Sequence, residues 1–214
     1  MKTHGRTLGA VMAIATLAIV TGCSASGGAA TGVGYVGSGA KEATSVAPPR
    51  SLDWMEWPAP TDSEVTPQGY QVKGLNDTVA IINPDTGQPA ARLMVRGIEK
   101  DSACTSPDAE ASENGHFFRV DLQVETGADL AEAMGSPELF LADWSAADEN
   151  GIDTNADLIT EASAWCLTEA ESIPTIVDPG RRVLGSIVLD MPFTAGTVVL
   201  NSYHGESWQF SLPE

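Results

Sequence analysis

Three cysteines are the residues of this 214-residue chain best suited to covalent chemistry, and their surroundings differ. Cys23 ends the run Val20-Thr21-Gly22-Cys23, which follows a basic head and an apolar stretch from Leu8 to Val20. As a helix that stretch would rise only about 20 Å, whereas the hydrocarbon core of a bilayer is about 30 Å thick. The pattern therefore predicts a cleavable lipoprotein signal peptide at residues 1–22 and a lipid on Cys23, and it does not predict a membrane span.

Cys104 and Cys166 remain as an even pair once Cys23 is lipidated. An exported chain meets an oxidising environment, so we predict a disulfide between them. The alternatives are two unpaired buried thiols or a catalytic cysteine. The second lacks a partner, because His116 and His204 are the histidines left after processing and neither is close to a cysteine in the sequence.

Other catalytic patterns are also missing from the sequence. No Gly-x-Ser-x-Gly elbow occurs, the two histidines lack the short spacing of zinc ligands, and the glycines from Gly32 to Gly39 lie outside any strand-to-helix context. We therefore predict no catalytic residue, no cofactor and no enzyme activity.

One loop has the oxygen-rich spacing of a calcium site. Its oxygen-bearing residues are Asp148, Asn150, Asp153, Asn155 and Asp157, with Gly151 at the bend. Aligning Gly151 with the sixth position of a calcium loop puts Ala146 where the first carboxylate belongs. We predict no metal site here, and a polar hairpin loop is the simpler interpretation.

The chain is strongly acidic, with a net charge of −18 that becomes more negative when Lys2 and Arg6 leave with the signal. Such a charge repels phosphate backbones, so we predict no nucleic-acid partner. Between Glu99 and Asp178 the acidic residues greatly outnumber the basic ones, which are Lys100 and Arg119. These acids predict a solvated shell, or alternatively a surface for a basic partner or a divalent cation.

Residues 23–69 are predicted to be a flexible tether that includes a tryptophan-containing segment. Gly, Ala, Ser and Thr dominate residues 24–50 and cannot bury enough apolar surface to fold. Trp54 and Trp57 follow within the run from Leu52 to Pro58. We consider three roles for this run: an arm that packs on the domain, a docking motif in which both tryptophans bind a partner, and an interfacial membrane anchor.

The pattern of residues 70–214 predicts one domain built of strands. The clearest strand has Phe118, Val120, Leu122 and Val124 alternating with Arg119, Asp121, Gln123 and Glu125. This period of two predicts one buried face and one face in water. Further strands are predicted at 78–82, 91–98, 139–144, 183–191, 197–203 and 207–212, with a helical turn at 129–134 and a helix within 157–171. The pattern predicts an all-β fold, an antiparallel β-sandwich.

Several short motifs resemble a known family. They are Asn114-Gly115-His116-Phe117-Phe118, Asp178-Pro179-Gly180, the run from Gly185 to Pro192, and the terminal Trp208-Gln209-Phe210. Over residues 70–214 the chain resembles a family of mostly actinobacterial surface lipoproteins of unknown function, which is similar to the telokin-like immunoglobulin fold of a secreted mycobacterial immunogenic protein. The resemblance implies an immunoglobulin-like sandwich and carries no catalytic residues.

These observations lead to two functional hypotheses. The first is a non-catalytic binding or interaction module on the outer face of the cell membrane, held there through its N-terminal lipid, with a surface or secreted protein as partner. The second is a lipoprotein that binds a small ligand or a divalent cation through the acidic loops.

Overall fold

The computed structural model describes residues 50, 52–59, 63–136, 138–202 and 206–214. The predicted signal peptide, Cys23, His204 and most of the predicted tether lie outside these residues. No helix among the described residues has the length and apolar character needed to cross a membrane.

Strands make up nearly all of the regular structure. They are β1 (Gln71–Val72), β2 (Val79–Ile82), β3 (Pro89–Lys100), β4 (His116–Thr126), β5 (Leu139–Phe140), β6 (Trp144–Asp148), β7 (Ile176–Val177), β8 (Arg182–Met191), β9 (Gly196–Asn201) and β10 (Ser207–Ser211). Two short helices, α1 (Leu130–Met134) and α2 (Glu161–Ala164), lie between strands.

The strands form two four-stranded sheets and one small ribbon. Sheet I has the order β2-β3-β4-β8, sheet II has the order β1-β10-β9-β6, and β5 pairs with β7. Every pair is antiparallel except β1 with β10. Within sheet I, β3-β4-β8 occupy the places of strands A, B and E of an immunoglobulin sandwich. Strands β6, β9 and β10 of sheet II occupy those of C, F and G. The predicted all-β, immunoglobulin-like sandwich is confirmed.

The core lies between the two sheets. Phe118, Val120, Leu122 and Val124 are fully buried there, and Leu200, Trp208 and Phe210 of sheet II belong to the same cluster. The strict alternation in β4 therefore places its apolar face correctly, because only that face can be buried against the opposite sheet.

The predicted strand at 139–144 is wrong as a single element. Its first half is β5 and its end begins β6, in a different sheet. Between them Leu141 bonds through its N–H to the carbonyl of Thr175 and through its carbonyl to the indole N–H of Trp144, at 2.8 and 2.7 Å. The N–H bond extends the β5–β7 register by one residue, and because the carbonyl of Leu141 then bonds the Trp144 side chain, this pairing ends and the chain passes to sheet II.

The predicted helix within 157–171 is reduced to the four residues of α2. Thr160 caps its start by accepting a hydrogen bond from the N–H of Ser163. Two residues after it ends, the carbonyl of Cys166 accepts hydrogen bonds from the N–H groups of Thr105 and Ser106. That pairing with another loop stops the helix despite favourable propensity. The predicted helical turn at 129–134 is confirmed as α1 and ends at Gly135, which has φ +60°.

The prediction that the second face of β4 lies in water is wrong. Arg119 and Asp121 are each 4% exposed and Gln123 is 0% exposed. Alternation identifies which side chains leave the core, but it does not reveal that other segments cover them. This covered outer face of sheet I contains the candidate site.

Candidate interaction site

A disulfide fixes the loops over one end of the outer face. Cys104 and Cys166 are bonded, with 4.6 Å between their Cα atoms, as the sequence predicts. The disulfide ties the loop between β3 and β4 to the segment after α2. Beneath it, Phe117, Leu167 and Val188 form a small apolar cluster separate from the main core.

A charged network occupies the middle of the face. The Arg119 side chain donates through Nε to Asp121 Oδ1 at 3.0 Å and through Nη1 to Glu171 Oε1 at 2.8 Å. Ser186 on β8 donates to the same Asp121 oxygen at 2.6 Å. All of these side chains are almost fully buried. A buried charge is costly unless it is paired, and each charge here has a partner at hydrogen-bonding distance.

Glu171 reaches this network because its segment runs along the free edge of β8. The N–H of Ser186 donates to the Glu171 carbonyl at 2.8 Å, and the N–H of Ile173 donates to the Ser186 carbonyl at 2.9 Å. Gly185 makes this approach possible, since a Cβ there would lie 2.7 Å from the nitrogen of Ile173. The lack of a side chain at Gly185 is thus required for the Glu171 segment to pack against β8.

Hydrogen bonds keep the Glu171 carboxylate ionised. Burial by itself would raise its pKa, but donation from Thr105, Arg119, the Arg50 N–H and Thr168 lowers the pKa to about 2. The Thr168 hydroxyl lies 2.8 Å from Oε2, which Thr105 also contacts. Glu171 is therefore a fixed negative charge at neutral pH.

The rest of the outer face is covered by Arg50 and residues 52–59, which we call the strap. The Arg50 guanidinium donates to Asp121 Oδ2 at 2.9 Å and also pairs with Glu99. Its backbone N–H donates to Glu171 Oε1 at 3.1 Å. Flanking carboxylates raise the pKa of Arg50 despite the opposing effect of burial, so it is always a cation.

The side-chain amide of Gln123 bonds both backbone groups of Met55, in the middle of the strap, as the backbone of a neighbouring strand would. Its Oε1 accepts from the N–H of Met55 at 2.9 Å, and its Nε2 donates to the Met55 carbonyl at 2.8 Å. Arg96 donates to the carbonyl of Asp53 at 2.8 Å. Side chains of the sheet thus bind the backbone of the strap through hydrogen bonds.

Both tryptophans, Trp54 just before Met55 and Trp57 two residues after it, are half-buried. Their rings meet edge to face, with centroids 5.8 Å apart. The Arg182 guanidinium lies 3.9 Å from the Trp54 ring centroid, and Trp57 Nε1 donates to Glu125 Oε2 at 2.7 Å. The structure therefore places this segment, predicted within the tether, against sheet I, in the packing-arm arrangement.

A second buried carboxylate, Asp190, lies on the outer face at the end of β8. It accepts hydrogen bonds from the Ser112 and Thr160 hydroxyls and from the backbone N–H groups of Glu113 and Asn114. These four donors come from the two loops joined by the disulfide. Asp190 orders both loops over the sheet.

The other sequence candidates lie away from this face. The Asp148 carboxylate accepts from the N–H groups of Ile152 and Asn150, each at 2.9 Å, and these bonds, that from Ile152 foremost, lower its pKa. His116 pairs with Asp101 at 2.7 Å. Within the described ranges no three His, Cys, Asp or Glu side chains are grouped as metal ligands.

Sequence reasoning missed the residues that build the site, namely Arg50, Glu99, Arg119, Asp121, Gln123 and Glu171. One signal was present: Arg119 and Asp121 are opposite charges two positions apart, and period two puts them on the same strand face. Nothing local could link them to Arg50, which is 71 positions from Asp121.

Comparisons with known proteins add little to this picture. No protein-family profile matches the chain, and no curated protein matches it. Among solved structures it is similar to MPT63, a secreted protein from Mycobacterium tuberculosis, with a TM-score of 0.42 and 13% identity over 66% of this chain and 97% of that one. A conserved hypothetical protein from Bacillus anthracis matches with a TM-score of 0.31 and 18% identity over 61% and 94% of the two chains. The fold assignment rests on the strand order described above.

Proposed function

We propose that this protein is an exported lipoprotein, held on the outer face of the cell membrane by a lipid on Cys23, whose sandwich is a non-catalytic interaction module. The run Val20-Thr21-Gly22-Cys23 at the end of the predicted signal peptide, a lipobox, supports the anchor. The disulfide between Cys104 and Cys166 is the kind of bond that persists in an oxidising compartment. Kinship with the telokin-like surface lipoproteins is part of the same proposal.

The outer side of the strap is the contact surface in this proposal. The observation that carries it is the positioning of two half-buried tryptophans by their contacts with Glu125 and Arg182. Met55, which lies between the two tryptophans in the sequence, is 39% exposed. Aromatic side chains held in place before binding lose little entropy on association, and they are enriched at the energetic centres of interfaces.

The partner we propose is another surface or secreted protein. The negative charge of the chain disfavours nucleic acid and anionic headgroups as ligands of the folded domain. A tether of about 27 residues would give the domain a reach of roughly 25 to 30 Å from the membrane, which suits contact with neighbouring proteins.

Photo-crosslinking in intact cells tests the surface. A photoreactive amino acid replaces Met55 in the lipidated protein, and in a matched control it replaces Ile152, which is 66% exposed in the turn after β6 of sheet II. We expect discrete adducts from position 55 that are absent from position 152. The added change Trp54→Ala/Trp57→Ala should remove them.

The same adducts from both positions would overturn the proposed surface, as would adducts unaffected by the double substitution. The anchor is tested separately by Cys23→Ser and by the intact mass of the wild-type protein. We expect a lipid-sized mass increase on Cys23 in the wild type and failure of membrane retention in the variant. An unmodified Cys23 thiol would overturn the anchor.

A further inference from the structure

The pocket that holds Arg50 is largely built by other residues. Asp121 Oδ1 keeps Arg119 and Ser186 as donors without any help from the strap. Glu171 likewise keeps Arg119, Thr105 and Thr168. These carboxylates would therefore stay in place if the strap left.

One buried carboxylate oxygen of the pocket, on Asp121, depends on the strap. Among the described residues, Arg50 is the single hydrogen-bond partner of Asp121 Oδ2, and the Asp121 side chain is only 6% exposed. Two buried carboxylates there face one buried guanidinium, that of Arg119. A vacated pocket would contain an unpaired, nearly buried negative charge, which is costly unless another cation replaces Arg50.

The strap is attached in a way that allows exchange. Across the described part of the chain, no backbone-to-backbone hydrogen bond joins it to a strand, and its bonds run through side chains such as Gln123 and Arg96. The Arg50 side chain is 45% exposed, so the cation at this pocket remains in contact with water. Beside it a cleft of about 230 Å³ runs past Leu52, Leu184 and Gly185.

From these observations we infer that the Asp121–Glu171–Glu99 pocket is an arginine-binding site, occupied in the free protein by Arg50 and open to an arginine of a partner protein. The partner would supply an extended segment in which an arginine is followed four residues later by an aromatic residue. The arginine would pair with Asp121 Oδ2, Gln123 would bond the peptide backbone, and the aromatic ring would lie on Arg182. This inference rests on the proposed function, because it takes the sandwich as an interaction module, but here the partner displaces the strap and contacts the face of sheet I beneath it.

A planar guanidinium fits this pocket better than an ammonium group. Arg50 contacts Asp121 through Nη1 and Glu99 through Nη2, so one rigid group bridges two strands of sheet I. A lysine would bring one point charge and could not span both carboxylates with the same geometry. The site should therefore prefer arginine to lysine, and because the pairing is charge-assisted it should also prefer arginine to its uncharged isostere citrulline.

The test uses the full mature chain in detergent and a labelled synthetic peptide with the sequence of residues 48–59. The variant Arg50→Ala/Trp54→Ala/Trp57→Ala weakens the chain's own strap, and we expect it to bind the peptide at least about 10-fold more tightly than the wild type, by fluorescence anisotropy. Replacing arginine by citrulline in the peptide should weaken binding about 10-fold or more, because a charge-assisted pair is lost. This comparison needs no further change in the protein.

Equal binding of the arginine and citrulline peptides would overturn the inference, and so would failure of the variant to bind while its thermal transition remains cooperative. Adding Asp121→Asn to the variant should remove the preference for arginine, whereas Asp143→Asn, at an exposed position, should leave it unchanged. If the wild type instead dimerises in a concentration-dependent way that Arg50→Ala abolishes, the occupant is the strap of a second copy, and the assignment to another protein is overturned. Crosslinking from Met55 can fail while peptide binding succeeds, so this inference and the proposed function are separately testable.

Discussion

Asp121 and Asp190 are buried carboxylates on the same face of sheet I, but their partners differ in kind. Asp190 is satisfied by neutral donors, two hydroxyls and two backbone N–H groups, all from loops that the disulfide joins. Asp121 is satisfied by Arg119, by Ser186 and by Arg50 from the strap.

This difference separates a closed site from an open one. The donors of Asp190 are part of covalently tied loops, so its surroundings form only with the whole fold. One partner of Asp121 comes from a segment that side-chain contacts alone hold on the sheet. Burying a charge costs free energy at both places, but only at Asp121 can a cation of a second molecule take the place of an existing partner and offset that cost.

The largest effect expected in this comparison comes from the disulfide. Replacing both cysteines, Cys104→Ser/Cys166→Ser, frees a closed loop with a sequence separation of 62 and should lower the free energy of unfolding by about 4 kcal/mol. Urea unfolding measures the loss. Hydrogen exchange should show the amides of Glu113 and Asn114 losing more protection than that of Met55. Earlier loss at Met55 would contradict the view that the disulfide supports Asp190 more directly than it supports the strap.

Removing the closed carboxylate comes next. Asp190→Ala leaves four donors without their acceptor at a fully buried position, and we expect a loss of about 3 kcal/mol in urea unfolding. Asp143→Ala, at an exposed position, is the matched control and should change stability by less than about 0.5 kcal/mol. A similar small effect of both substitutions would show that Asp190 is not the organising group of the loops.

The smallest effect, measured as a slope per pH unit, concerns the pH dependence of the open network. The pKa of Glu171 falls from 4.5 to about 2 on folding, so its stabilising contribution is complete above pH 4.5 and is lost as the pH falls from 4.5 to 2. In this window the stability of the wild type should fall more steeply than that of Glu171→Gln, by up to about 1.4 kcal/mol per pH unit. Chemical unfolding at several pH values measures both slopes, and equal slopes would contradict the charge assigned to Glu171.

The fold was accessible from the sequence because its signals are local. The alternation in β4 fixes which side chains enter the core, and turn residues such as Asn83 and Gly87 place the β2-β3 hairpin. The pairing of Cys104 with Cys166 follows from the number of cysteines, because only these two remain when Cys23 is assigned to the lipid. Errors arose where a distant segment intervened, as at β5, which pairs with β7 in a separate ribbon, and at Cys166, whose carbonyl is taken by another loop.

The candidate site was not accessible in the same way. Arg50, Glu99, Asp121 and Glu171 come from four separate stretches of the chain, and their individual surroundings look like ordinary polar surface. The tryptophans of the strap are conspicuous in the sequence, but only the fold brings Glu125 to Trp57 and Arg182 to Trp54.

By itself the sequence determined the sandwich, its buried face and the disulfide, because periodicity and cysteine number act through short-range geometry. Only the tertiary structure decided that the polar face of β4 is covered and that Arg50 meets Asp121 there. The physical reason is that the energy of a buried charge depends on every group around it, and those groups are brought together by the folding of segments far apart in the chain.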